Sequence, residues 1–126
     1  MSTVQSTNDL FAMLIQAKPP IDFPEGTVIF SKGDEGDTMY IVAEGSVTLS
    51  NGDKTVGKVT APGLFGELAL IDGSLRSLSA VADANTKLVV LPNNLFWILI
   101  HDTPYFSKLV LTTMAERLRD HDEATT

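Results

Sequence analysis

Cysteine is absent from this 126-residue chain. Its absence excludes disulfides, thiolate zinc sites and iron–sulfur clusters together. Long apolar runs are missing too. The longest near the C-terminus, residues 95–100, is far too short to span a bilayer. The opening MSTVQSTNDLF has no basic stretch ahead of an apolar core, so it does not read as a secretory signal. The expectation is a cytoplasmic protein that makes no use of a membrane. Positive charge is scarce: Lys and Arg number 9 against 16 Asp and Glu, giving a net charge of -7. Such a surface repels nucleic acid, so DNA is not an expected partner. An anionic ligand would need an enclosed site, where a nearby cation and local dipoles outweigh the distant charges. No nucleophile–base pair or phosphoryl-transfer motif stands at a credible spacing, so no enzymatic activity is expected.

What is present suits one ordinary domain over residues 1–126, with 44% hydrophobic and 20% charged residues. Residues 1–7 are polar and read as loose. Residues 8–16 read as a short amphipathic helix, with Leu10, Phe11, Leu14 and Ile15 on one side and Pro19-Pro20 ending it. From residue 21 to 91 short strands alternate with turn signals. Val28 and Phe30, Tyr40 and Val42, then Val47 and Leu49 keep the two-residue period of half-buried strands. Asn51-Gly52 is the strongest hairpin signal. Residues 77–82 and 86–91 read as two further strands. Many short strands at this spacing indicate a sandwich or a barrel. After Pro92 the period changes. Residues 93–100 fit a helix capped by Asn93 or Asn94, and Pro104 opens another that runs to about residue 120. Periodicity alone therefore gives a β-rich chain with terminal helices.

The most informative stretch is Phe65-Gly66-Glu67-Leu68-Ala69-Leu70, followed by Arg76-Ser77. A phosphate needs backbone N–H groups at a helix N-terminus, a forked cation and a hydroxyl donor. An ionised glutamate only accepts hydrogen bonds, so Glu67 suits a sugar hydroxyl beside the phosphate. Gly66, without a side chain, lets a ligand approach the backbone closely. Phosphate with ribose describes a nucleotide.

The run FGELALIDGSLRS resembles the phosphate-binding cassette of cyclic nucleotide-binding domains, the family of the bacterial catabolite activator protein and the regulatory subunits of protein kinase A. Residues 32–42 with Glu44-Gly45 look like that family's glycine-punctuated early strands, and Met114-Ala115-Glu116-Arg117-Leu118 like its long C-terminal helix. The resemblance covers residues 21–119 or thereabouts. It implies a mainly β architecture: a β jelly-roll barrel with a short N-terminal helix and C-terminal helices. It implies cAMP or cGMP as ligand, with Arg76, Ser77 and the helix start on the phosphate and Glu67 and Gly66 on the ribose. Leu68, Ala69 and Ser79 join them as ligand contacts. In the family the C-terminal helices close over the base and transmit the signal.

Two positions depart from the usual cassette. Leu75 stands where a proline or small residue often precedes the arginine, and Leu78 where a small residue is usual. Leu78 is expected to point into the core. The early glycines Gly33, Gly36 and Gly45 read as turn residues. Cluster-carrying oxygen sensors are excluded as models by the lack of cysteine. A metal-dependent cupin is excluded because His101 and His121, the two histidines, lie on no strand, and no metal or further cofactor is expected. Transcription factors of the family continue into a helix-turn-helix domain, for which this sequence has no room, so output is expected to reach an effector protein in trans. The helix over residues 104–120 carries two apolar rows, Phe106/Val110/Met114 and Leu111/Ala115, which suggest either a homodimer surface or a broad groove on the barrel that takes both rows. The alternative to a nucleotide sensor is an interaction module with the same fold and no nucleotide.

Overall fold

Ser6 starts the first helix in the computed structural model: its hydroxyl accepts the Asp9 N–H at 3.0 Å, which satisfies one of the orphan donors of a helix N-terminus. The structure describes residues 4–125, with side chains to residue 119. Helix α1 (Thr7–Ala17) buries Leu10, Phe11 and Leu14. Ile15, expected beside them, is exposed. Among the described residues the helix is therefore already capped at Ser6, inside the segment that reads as loose.

Eight strands follow: β1 (Ile21–Phe23), β2 (Val28–Phe30), β3 (Thr38–Glu44), β4 (Ser46–Asn51), β5 (Lys54–Thr60), β6 (Gly63–Phe65), β7 (Ser79–Ala82) and β8 (Thr86–Pro92). They form two four-stranded sheets, ordered β1-β8-β3-β6 and β2-β7-β4-β5, with antiparallel pairing throughout. The β jelly-roll barrel with flanking helices is thus the observed architecture. The β4–β5 hairpin turns on Gly52-Asp53, with Asn51 paired to Lys54, one residue later than the Asn51-Gly52 signal suggests. Gly52 at φ +63° supplies the left-handed residue that such a tight turn needs.

Two apolar clusters show where the sheets face. One joins Val42, Val47, Leu49, Val59, Phe65, Ala80 and Leu88 between the sheets. The other joins the helices to the outer side of the first sheet, with Leu10, Leu14, Met39, Ile41, Leu91, Phe96 and Phe106 among its members. Strand β3 contributes to both, so it is buried on both faces rather than half-buried. Val28, by contrast, is exposed, because β2 lies at the edge of its sheet.

Helix α2 (Leu68–Asp72) is a single turn inserted between β6 and β7. Helix α3 (Asn93–Asp102) is preceded by Pro92 in the cap position, with no side-chain cap bond. Asn93 does not cap it; its N–H donates instead to the Asp37 carbonyl at 2.8 Å. Helix α4 spans Pro104–Thr125. It turns Phe106 and Val110 into the helix-facing cluster, with Leu109 and Met114 packed at its margin. No helix among the described residues is long and apolar enough to cross a membrane.

Candidate functional site

The Phe65–Glu67 corner leaves β6 and enters α2. Gly66 sits there at φ +84°, a conformation that side-chain-bearing residues adopt only under strain. Glu67 occupies the N-cap position of α2, and its carbonyl accepts the N–H groups of Leu70 and Ile71, both at 3.1 Å. Its side chain makes no cap bond and turns inward, which leaves the residue 1% exposed.

Arg76 arrives from the loop after α2 and is also buried. Its Nη1 donates to the Gly66 carbonyl at 2.8 Å and its Nη2 to the Thr38 carbonyl at 2.7 Å. The guanidinium carbon lies 4.1 Å from the centre of the Phe30 ring, a favourable place for a cation. Phe30, Tyr40 and Phe65 pack together with ring centres 5.1–6.0 Å apart, and so make the apolar floor under the charge. Burial lowers the Arg76 pKa, while Tyr40, Asp37, Asp34 and Glu67 act in the opposite direction. A guanidinium remains charged throughout. Its Nε is buried and has no protein partner, so one donor of the fork is unsatisfied.

One cavity brings the expected residues together. Gly66, Glu67, Leu68, Ala69, Arg76 and Ser77 line it, together with Phe30, Phe65 and Arg117. Both unusual leucines, Leu75 and Leu78, line it as well. Leu78 therefore does two things: it packs on the inter-sheet cluster, as its alternation requires, and it narrows the pocket. Ser79 is not brought there. Its hydroxyl accepts the Lys32 N–H at 2.9 Å, which ties the β2–β3 loop to β7.

Residues 20–103 match the sequence profile of the cyclic nucleotide-binding domain. The chain belongs to that family. A cyclic AMP receptor protein of Thermus thermophilus is 37% identical over 105 residues, which are 79% of this chain and 49% of that protein. A cyclic nucleotide-gated potassium channel of Rhizobium etli is 36% identical over 104 residues, 82% of this chain and 29% of the channel. The crystal structure of the Thermus thermophilus catabolite activator protein superposes with a TM-score of 0.77 at 31% identity, covering 91% of this chain and 56% of that one. The chain thus spans about half, or less, of the curated relatives it matches.

Two residues of this cyclic nucleotide-binding domain gain a place at the site that their spacing does not reveal. Gly36, which reads as a turn residue, packs directly against the Arg76 guanidinium. Arg117 of α4 reaches into the cavity, and its Nη1 lies 2.8 Å and 3.1 Å from the two Glu67 carboxylate oxygens. Its Nη2 donates to the Leu64 carbonyl. The helical period gives Arg117 its face but names no partner for it. Of the two histidines, His101 is exposed in the last turn of α3 beside Asp102, and the side chain of His121 lies outside the described residues. Among the described residues no cluster of His, Asp or Glu could hold a metal ion.

Proposed function

We propose that the chain binds a 3′,5′-cyclic mononucleotide, cAMP or cGMP, and passes its occupancy to an effector protein. The observation that carries this reading is the meeting of Gly66, Glu67, Arg76 and Ser77 at one cavity, with the only buried cation among them lying over Phe30. A cyclic phosphate carries one negative charge and suits the guanidinium fork, whose buried Nε has no protein partner. Ser77, exposed at the rim, offers a hydroxyl donor. Glu67 can accept from the ribose 2′-hydroxyl. The relatives named for cyclic AMP and for nucleotide gating support the ligand class. Helix α4 carries the signal outward and provides the surface for self-association. No step of catalysis belongs to this reading.

Calorimetric titration of wild type and Arg76→Ala with cAMP and cGMP tests it. Loss of a charge-assisted partner from an enclosed phosphate weakens binding by about 2–5 kcal/mol. Equal affinity in both proteins would refute the assignment.

A second reading is a nucleotide-independent interaction module. Its support is that Arg76 and Glu67 are already engaged inside the protein, by carbonyls and by Arg117 respectively. It predicts no heat from either nucleotide and no shift in thermal unfolding, whereas a ligand that binds only the folded state raises the melting temperature.

A further inference from the structure

The tip of the β4–β5 hairpin holds a reactive pair that the nucleotide site does not use. Asn51 closes β4 opposite Lys54, and Gly52 begins the turn at φ +63°. Both are exposed, so water and solvent base reach them. Of the five asparagines in the chain, Asn51 is the one followed by glycine. Glycine has no Cβ to shield its backbone nitrogen from the side-chain amide that precedes it. The space around Gly52 is open as well: a Cβ built there meets nothing within 4 Å.

The tertiary structure adds a cation. Lys32, from the β2–β3 loop, brings its Nζ to 2.7 Å from the Asn51 Oδ1. Its backbone is held in place by the N–H bond to the Ser79 hydroxyl at 2.9 Å. An ammonium that donates to an amide oxygen draws electrons from the amide carbon. It also stabilises the negative oxygen that forms when a nucleophile adds to that carbon.

We propose that Asn51 is a site of covalent self-modification, a deamidation promoted by Lys32. The Gly52 nitrogen bonds to Asn51 Cγ. The Cγ–Nδ2 bond breaks, and Nδ2 leaves as ammonia with the proton that the Gly52 nitrogen gives up. Water then opens the cyclic imide at one of its two carbonyls, which yields aspartate or isoaspartate. No oxidant, reductant or enzyme is needed. Aspartate keeps Lys32 as an ion-pair partner. Isoaspartate adds a backbone carbon at a two-residue turn and so breaks the pairing of residues 51 and 54. It also releases Lys32, the neighbour of Gly33, whose N–H donates to the Arg76 carbonyl at 2.8 Å. None of this chemistry depends on what the cavity binds.

Folded wild type, Lys32→Met and Lys32→Arg are incubated for weeks at neutral pH, and mass spectrometry follows the peptides that contain residue 51. The same chains in urea are the unfolded controls. Lys32→Met removes the cation from an exposed side chain, and Lys32→Arg keeps it. In the folded proteins the expected conversion is confined to Asn51, with aspartate and isoaspartate both present. It is at least about three-fold slower in Lys32→Met, less than a buried oxyanion donor supplies because this one is solvated. Lys32→Arg restores the wild-type rate, and in urea all three chains convert equally fast. An intact Asn51 in folded wild type overturns the proposal. So does equal conversion of folded wild type and folded Lys32→Met, which would leave the dipeptide alone as the cause. Should Lys32→Met fail to fold, the wild-type masses still decide whether Asn51 is the site.

Discussion

A Cβ built on Gly36 lies 2.5 Å from Arg76 Nε, 2.6 Å from its Cζ and 2.9 Å from the Ala69 Cβ. Real Cβ atoms do not approach other atoms so closely, and the Ala69 methyl cannot swing aside, so the guanidinium has to move. Gly36→Ala is therefore expected to displace Arg76 from Phe30. Overpacking of this kind costs about 1–3 kcal/mol of stability, and nucleotide affinity falls with it. Calorimetry and thermal unfolding of the same sample separate the two effects; unchanged affinity would show that Arg76 does not need this wall. Glu67 makes a second claim at the same scale. If it accepts the ribose 2′-hydroxyl, the 2′-deoxy analogue of cAMP binds wild type worse by about 1.5–3 kcal/mol. Glu67→Ala hardly distinguishes the two nucleotides. Discrimination that survives the mutation confines Glu67 to its bond with Arg117.

Among the elements, the β7–β8 connection is tied by one carboxylate. Asp83 accepts hydrogen bonds from the hydroxyls of Ser46 and Thr48 on β4, the latter at 2.6 Å, and pairs with Lys58 of β5 at 3.3 Å. These bonds, the Ser46 hydroxyl first, lower the Asp83 pKa below the ordinary carboxylate value. A group whose pKa is depressed on folding stabilises the fold above its unfolded pKa, about 3.9 for aspartate. That contribution is lost as pH falls through the folded pKa. Asp83→Asn should lower stability at pH 7 by about 1 kcal/mol, a modest figure because the group is partly solvated. It should also show a smaller further loss between neutral pH and pH 3 than wild type. Urea unfolding at both values checks this, and identical acid losses would assign the stabilisation to other carboxylates.

For the molecule as a whole, α4 presents two apolar rows with different fates. Phe106 and Val110 are buried in the helix-facing cluster and Met114 packs at its margin. Leu111 and Leu118 stay 66% and 64% exposed, with exposed Ala115 between them at helical spacing. A second copy of the same helix would cover this stripe as in a coiled coil. Light scattering over a range of concentrations should then give the mass of a dimer for wild type and of a monomer for Leu118→Glu. A wild-type monomer at high micromolar concentration would leave the stripe as bare surface.

Much of the molecule was legible in its sequence because the signals concerned are local. The change of hydrophobic period after Pro92 marks α3 and α4. The hairpin glycine marks the β4–β5 turn to within one residue. Gly66, Glu67, Arg76 and Ser77 stand at spacings that a strand, a one-turn helix and a loop bring together. Ser6 as the cap of α1 uses equally local chemistry, yet the polar stretch around it hides the signal. Other facts depend on which distant segments touch. Double burial of β3 follows from helices covering the outer side of its sheet. The Ser79 hydroxyl turned to the Lys32 N–H because the β2–β3 loop passes beside it. Gly36 meets Arg76 across forty residues, and Arg117 meets Glu67 across fifty. Caps, turns and periods are set by neighbours along the chain, so the sequence determined them. Which cation covers a buried carboxylate is set by neighbours in space, and only the tertiary structure decided that.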